Sequence, residues 1–87
     1  MPIFASQYLI TVVDKKLSEI KPGNFCIIQQ FTDEEIKLKL MEMGCIPGEN
    51  VRVERVAPLG DPIAITVAGY ILSIRKSEAE TVLVSTL

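Results

Sequence analysis

Histidine and tryptophan are absent from the 87-residue sequence, and cysteine occurs only twice. The absence of histidine removes the commonest metal ligand and the commonest general base in proteins. The two cysteines, Cys26 and Cys45, do not have CxxC spacing. We interpret both as small core residues of a protein from a reducing compartment, and a disulfide or a shared metal ion is the alternative.

An excess of positive charge is also missing. Nine lysines and arginines are scattered along the chain, and eleven aspartates and glutamates bring the net charge to −2. Binding to a phosphate backbone depends on clustered positive charge, so we predict no nucleic-acid partner. The sequence also contains no GxGxxG or Walker-type loop, which leaves nucleotide binding without support.

The first 13 residues are apolar but carry neither the basic start nor the cleavage site of a signal peptide. They are too short to span a bilayer, so we predict a cytoplasmic protein without membrane insertion. The segment is expected to form an extra strand or a tail that lies on the domain. Self-association through this segment, giving a homo-oligomer, is the alternative.

Strand and helix patterns follow one another after this segment. Residues 25–31 are rich in β-branched and aromatic side chains and predict a strand. Thr32, as N-cap, and Glu35, three residues later, have the spacing of a capping box. These residues predict a helix over 33–43, which ends where Gly44 can adopt a left-handed conformation.

The second half of the chain is dominated by short strand patterns. They begin at Val51, Ile63, Tyr70 and Val82, with a break in alternation at Arg55-Val56. Ser77 is predicted to cap one short helical turn before the last strand. So many short strands with tight connections favour a strongly bent sheet or a partly closed barrel, with the helix at one opening.

No set of residues forms a catalytic centre by type and spacing. The serines have no histidine to accept a proton, and neither cysteine begins a helix, where the dipole would favour a thiolate. The acidic residues 33–35 are explained by helix capping. The sequence therefore indicates a binding module, and we assign no catalytic and no metal-ligating residue.

The segment VAPLGDPIAI, residues 56–65, contains the most unusual connection. Pro58 and Pro62 restrict the chain on both sides of Leu59-Gly60-Asp61. Asp61 is expected to accept a hydrogen bond from the nearby backbone, with an exposed acidic contact or a weakly held cation as alternatives. Leu59 is either part of a stiff hairpin end or a fixed apolar contact for a partner.

Three sequence runs carry a family resemblance: LMEMGCIPG at 40–48, APLGDP at 57–62 and IRKSEA at 74–79. With their surroundings, residues 17–84, they resemble the FeoA family, small cytosolic accessory proteins of bacterial ferrous iron uptake. The resemblance implies a mainly β protein with one α-helix, folded as a small SH3-like, partly open β-barrel. This domain would comprise residues 17–87, preceded by an N-terminal extension of residues 1–16.

The resemblance also implies a non-enzymatic function. FeoA proteins are expected to bind and modulate the cytosolic part of FeoB, a membrane permease with a GTP-binding domain. Transition-metal binding is implied for the family only; no cofactor is expected, and weak Fe²⁺ association has no support from ligand spacing. A free-standing SH3-like metallo-regulatory or scaffold domain serving another protein is the alternative. The residues expected to contact a partner are Leu59, Gly60, Asp61, Arg55, Arg75 and Lys76.

Overall fold

A computed structural model of the chain describes residues 13–86. The strands in this part of the chain are β1 (Lys15–Lys16), β2 (Phe25–Phe31), β3 (Asn50–Val56), β4 (Ile63–Val67), β5 (Tyr70–Ile74) and β6 (Val82–Thr86). Its helices are α1 (Glu34–Glu42), the short α2 (Lys76–Ala79) and a 3₁₀-helix (Leu17–Glu19). The predicted mainly β composition with one main helix is confirmed.

The six strands form one antiparallel sheet in the order β1-β6-β2-β3-β4-β5. Within residues 13–86 the sheet is open, since β1 and β5 are its two edges. The pairing register shifts between Ile28 and Gln30 and again between Val53 and Arg55. Such irregularities bend a sheet. The second one lies at Glu54, one residue before the predicted break in alternation.

The alternating apolar residues of the strands meet in one core. Ile63, Ile65 and Val67 of β4 are all buried, because residues two apart along a strand share one face of the sheet. Leu40 of α1 and Leu17 of the 3₁₀-helix close the core from outside the sheet. The remaining core residues are Ile20, Cys26, Ile28, Cys45, Val51, Val53, Ile74, Ala79, Val82 and Val84.

The N-cap of helix α1 lies one residue later than predicted. It is Asp33, whose Oδ1 accepts a hydrogen bond from the Ile36 amide at 3.0 Å. Thr32 was therefore the wrong cap; its hydroxyl instead donates to the carbonyl of Thr81 at 3.4 Å. Gly44 follows the helix with a φ of 100°, which confirms the left-handed end.

Helix α2 is capped from another part of the chain. Ser77 lies inside the helix, and the N-cap position is Arg75, so the predicted Ser77 cap is wrong. The Arg75 amide donates to Glu78 Oε1 at 3.0 Å, and the Lys76 amide donates to Asp61 Oδ1 at 3.0 Å. A carboxylate from a distant loop thus occupies the place that a local serine hydroxyl was expected to fill.

Strand β1 lies at the end of the predicted N-terminal extension. The predictions made for residues 1–12, an extra strand, a tail or a self-association surface, lie outside the described residues. Strand β1 pairs with β6, and the Thr86 amide donates to Asp14 Oδ1 at 2.9 Å. Hydrogen bonds from Thr86 hold the pKa of the Asp14 carboxyl below its usual range. None of the helices found between residues 13 and 86 has the length and apolar character to cross a membrane.

Candidate functional site: the β3–β4 connection and the start of α2

The connection between β3 and β4, residues 57–62, is closed by its own backbone. The Ala57 amide donates to the carbonyl of Pro62 at 3.1 Å, and the Gly60 amide donates to the carbonyl of Ala57 at 2.7 Å. Gly60 has a φ of 88°, and the peptide bond between Asp61 and Pro62 is cis. Leu59 stands at the tip with 96% of its surface exposed. The loop therefore holds a bare leucine away from the core.

The Asp61 side chain ties this loop to helix α2. Its Oδ1 accepts a hydrogen bond from the Lys76 amide, the first helical residue of α2. The expected bond to the nearby backbone is not what forms, because the acceptor reaches across 15 residues. The carboxylate also sits where a helix exposes unpaired amides, a favourable place for negative charge. We call the surface formed by Leu59, Gly60, Asp61, Arg75 and Lys76 the tip surface.

Glu78 connects α2 to the main helix. It is 7% exposed, and its carboxylate accepts hydrogen bonds from the Arg75 amide and from Lys39 Nζ of α1. The bond from Lys39 and that from the Arg75 amide lower the pKa of Glu78, because both favour its charged form. The tip surface is thus attached to α1 through two successive carboxylate contacts.

The three basic residues predicted for the site are placed differently. Arg75 and Lys76 are exposed at the start of α2, beside the tethered loop. Arg55 is exposed on β3, where it pairs with Ala64 of β4, and it lies two residues before the loop. No salt bridge within residues 13–86 links its side chain to the tip surface. Within residues 13–86, none of these three side chains forms an ion pair, so their charges remain available.

The structure offers little for a metal ion or a reactive thiol in the part of the chain it describes. No three His, Cys, Asp or Glu side chains between residues 13 and 86 lie close enough to share a metal. Cys26 and Cys45 are free and buried, which confirms their interpretation as core residues. Burial raises the pKa of each thiol to about 11.

A second surface feature was missed from the sequence. Phe25, Arg52, Thr66 and Ile71 stand directly opposite one another across β2, β3, β4 and β5. The Arg52 guanidinium lies 5.8 Å from the centroid of the Phe25 ring, and the Glu54 carboxylate accepts from Arg52 and from the Thr66 hydroxyl. These bonds lower the pKa of Glu54. Alternation along β3 gives the outward direction of its residues, but the register across four strands is not readable from the sequence.

Comparison with known proteins identifies the family. The family model described as FeoA domain matches residues 15–86, most of the chain. The chain belongs to the FeoA family. This family is not a known family of enzymes, and it is linked to ferrous iron transport.

Solved FeoA structures share the fold. The FeoA-like protein of Clostridium acetobutylicum is 35% identical, with a TM-score of 0.81 over 87% of this chain and 90% of that one. FeoA of Stenotrophomonas maltophilia, crystallised with zinc and described as an SH3 domain protein, is 27% identical. Its TM-score is 0.71, over 83% of this chain and 91% of that one. The expected SH3-like fold is confirmed.

A curated relative places the same segment in a much larger protein. The Fe(2+) transport protein A/Fe(2+) transporter FeoB fusion protein of Porphyromonas gingivalis is 29% identical over 65 residues. The match covers 74% of this chain but only 8% of the fusion protein. A FeoA homologue and a FeoB transporter are therefore parts of one polypeptide in that organism.

Proposed function

We propose that this FeoA protein is a non-enzymatic accessory protein of ferrous iron uptake, which binds the cytosolic part of a FeoB permease and modulates its activity. The proposed location is the cytoplasm. The observation that carries the proposal is the Porphyromonas gingivalis fusion of a FeoA segment with FeoB. Within one polypeptide, the FeoA segment is present at a high effective concentration next to FeoB. A separate FeoA chain needs a binding surface of its own to achieve the same association.

The tip surface has the properties of such a binding surface. Leu59 is almost fully exposed, yet the loop beneath it is closed by two backbone hydrogen bonds and tied to α2 by Asp61. An apolar side chain held in one place loses little further conformational entropy when a partner covers it. We therefore assign Leu59, Gly60 and Asp61 as partner contacts, with Leu59 as the central apolar one.

The basic residues around the tip surface would act mainly on the rate of association. Arg55, Arg75 and Lys76 are exposed and carry no compensating ion pair within residues 13–86. Exposed charges at the rim of an interface steer encounter and are screened by salt, while they add little to affinity. The proposal therefore includes an acidic patch on FeoB around the pocket that receives Leu59.

Calorimetric titration of the full chain into the cytosolic part of FeoB from the same organism tests this function. The titration is done with GTP, with GDP and without nucleotide, and the rate of GTP hydrolysis is measured in parallel to detect modulation. We expect Leu59→Glu to weaken binding at least about tenfold, or about 1.4 kcal/mol, because a charge replaces the central apolar contact. Its thermal stability should stay unchanged, since 96% of the Leu59 surface is exposed in the part of the chain that the structure describes.

The matched control is Leu38→Glu. Leu38 is also an exposed leucine, with 65% of its surface accessible, but it lies on α1 outside the tip surface. We expect Leu38→Glu to bind FeoB like the wild type. Equal binding by both variants would remove the tip surface from the interface. Absence of any complex with FeoB, in all three nucleotide states, would instead favour the scaffold or metallo-regulatory role for another protein.

A further inference from the structure

Strand β5 is an open edge of the sheet in the part of the chain that the structure describes. On one side it pairs with β4 in a regular register, from Tyr70 opposite Val67 to Ile74 opposite Ile63. No strand within residues 13–86 pairs with its other side. The open side of such a strand carries unpaired N–H and C=O groups, and a further strand can add to them.

The two-residue turn at 68–69 determines which groups of β5 face the open side. A turn of this length makes the residues that flank it, Val67 and Tyr70, a hydrogen-bonded pair. Hydrogen-bonded and non-bonded pairs alternate along antiparallel strands, so Ile71 and Ser73 direct their N–H and C=O groups away from β4. Among residues 13–86, no other segment forms a backbone hydrogen bond with these outward groups.

Strand β5 lacks the features that protect an edge from pairing. Its sequence, YILSI, contains no charged residue and no proline, and no bulge interrupts its register with β4. The opposite edge, β1, consists only of Lys15 and Lys16, both exposed. Short length and lysine side chains are common protections of an edge strand. One edge of the sheet is therefore protected in the described part of the chain, and the other is open to a partner strand.

The open side of β5 is complementary to itself. In antiparallel pairing about a two-fold axis at Leu72, Ile71 of each copy lies opposite Ser73 of the other. Each of these pairs exchanges two hydrogen bonds, so the outward groups of both residues find partners in both copies. The two Leu72 residues form a non-bonded pair, in which side chains are close together. Because Leu72 is half-buried against the core, this contact extends the core across the axis.

The charges that follow β5 are compatible with this arrangement. Arg75 and Lys76 come directly after the strand and are exposed. In the antiparallel register, Arg75 lies opposite Gly69 of the second copy, about 20 Å along the strands from the second Arg75. This separation exceeds the Debye length of about 8 Å at physiological salt, so the repulsion is screened. Parallel pairing would instead place the two Arg75 residues side by side.

We propose that β5 pairs with β5 of a second copy of this chain, which joins two domains into a two-fold symmetric dimer with one continuous sheet. A second copy supplies an uncharged strand of the same length, in a register that uses every outward group of Ile71 and Ser73. The tip surface follows the end of β5 in each copy, so the two tip surfaces lie at opposite ends of the joined strands. The pairing does not depend on FeoB binding.

Sedimentation velocity of the full chain, over about a hundredfold range of concentration, tests the dimer. We expect a monomer–dimer equilibrium. Ile71→Lys places a charge on the open edge and should raise the dimer Kd at least about tenfold. The matched control is Leu38→Lys, because Leu38 on α1 is 65% exposed and Ile71 is 67% exposed. The control should dimerise like the wild type.

A second pair of variants tests the backbone hydrogen bonds. Ser73→Pro removes an N–H that faces away from β4, a position where an edge strand tolerates proline. It should also raise the dimer Kd at least about tenfold, since each dimer loses this donor twice. Ser73→Ala keeps the N–H and should dimerise like the wild type. Circular dichroism checks that each variant is folded, and Ile71→Lys alone decides the test if Ser73→Pro does not fold.

Hydrogen exchange locates the contact within β5. The Ile71 and Ser73 amides should exchange slowly only at concentrations where the dimer forms, while the Leu72 amide, bonded to β4, exchanges slowly throughout. A chain that stays monomeric, or a dimer that tolerates Ile71→Lys, would overturn the proposal. Slow exchange of both outward amides in the dilute monomer would also overturn it, because the chain itself would then cover the edge. Protection that appears only with the cytosolic part of FeoB would make a strand of the permease the occupant instead.

Discussion

The loops that join β3 to β4 and β4 to β5 both reverse the chain between neighbouring antiparallel strands, but they differ in length and in how they are held. Residues Ala68 and Gly69 close the β4–β5 hairpin alone, with φ values of 52° and 90°. Two central residues with positive φ give a turn whose twist matches the strands. Residues 57–62 connect β3 to β4 by a longer path, with a side-chain tether to α2 and a bare leucine at the tip.

The short β4–β5 turn shows how few residues strand pairing requires, and so which part of the 57–62 loop must have another role. Two residues are sufficient to reverse the chain between antiparallel strands, as the β4–β5 turn demonstrates. The extra length of the 57–62 loop is therefore not required for strand pairing. Its internal hydrogen bonds and the Asp61 tether are consistent with a shape that is held for binding, which is the role proposed for the tip surface.

Removal of the Glu78 carboxylate should produce the largest difference between the two loops. Glu78→Ala removes the acceptor for hydrogen bonds from the Arg75 amide and from Lys39. A hydrogen bond to a charged group contributes up to about 3 kcal/mol to the free energy of unfolding. We expect a stability loss of about 1–3 kcal/mol, measured by urea unfolding. Hydrogen exchange should accelerate in α2 and in residues 57–62, while the 68–69 turn keeps its rates.

The same residue should contribute to acid sensitivity. Because hydrogen bonding lowers the folded-state pKa of Glu78, its contribution to stability is present above the unfolded value of about 4.3 and is lost as the pH falls through the folded value. Glu78→Gln should therefore show a smaller fall in stability below about pH 4.3 than the wild type. Glu80→Gln is the control for the loss of one negative charge, because it removes an exposed carboxylate of the same segment and leaves the bonds of Glu78 in place. An unchanged slope in Glu78→Gln would contradict this role.

The two loops also contain a matched pair of glycines. Gly60 and Gly69 have φ values of 88° and 90°, and an added Cβ would meet no atom within 4 Å at either position apart from those of the glycine and its two chain neighbours. Gly60→Ala and Gly69→Ala should each lower the free energy of unfolding by about 1–2 kcal/mol. The cost arises from the left-handed backbone conformation, which alanine adopts less readily than glycine. Calorimetry against FeoB should then separate them, with weaker binding for Gly60→Ala alone. Equal binding by both variants would mean that the loop shape does not matter to the partner.

The two loops differ in how far the sequence predicts them. The β4–β5 hairpin follows local residue patterns, namely period-two alternation in both strands and a glycine at position 69, where a positive φ is needed. Strand faces and tight turns depend on local residue type, so such features are accessible from the sequence. The strand at Phe25–Phe31 and the end of α1 at Gly44 were confirmed for the same reason. Local patterns carry most of the fold.

The tether of the 57–62 loop could not be predicted in that way. Asp61 and Lys76 are 15 residues apart, and only the finished fold brings the carboxylate to the first amide of α2. The same limitation explains the two incorrect caps, because Thr32 and Ser77 were chosen from local spacing alone. Leu59, Gly60, Asp61, Arg55, Arg75 and Lys76 remain predictions as partner contacts, and the structure adds the link that holds all but Arg55 in one surface.

The smallest expected effect concerns this tether itself. Asp61→Ala removes the acceptor for the Lys76 amide, and loss of a helix cap of this kind costs about 1 kcal/mol. The direct measurement is hydrogen exchange at the Lys76 amide, which should become faster while amides of the β4–β5 hairpin remain unchanged. Binding to FeoB should weaken a few-fold, because a freer loop loses more entropy on association. Asp61→Asn keeps a side-chain oxygen that can accept the same bond, so its exchange rate should lie near that of the wild type. Fast exchange in Asp61→Asn as well would mean that the negative charge at the helix end, rather than the hydrogen bond, holds the loop in place.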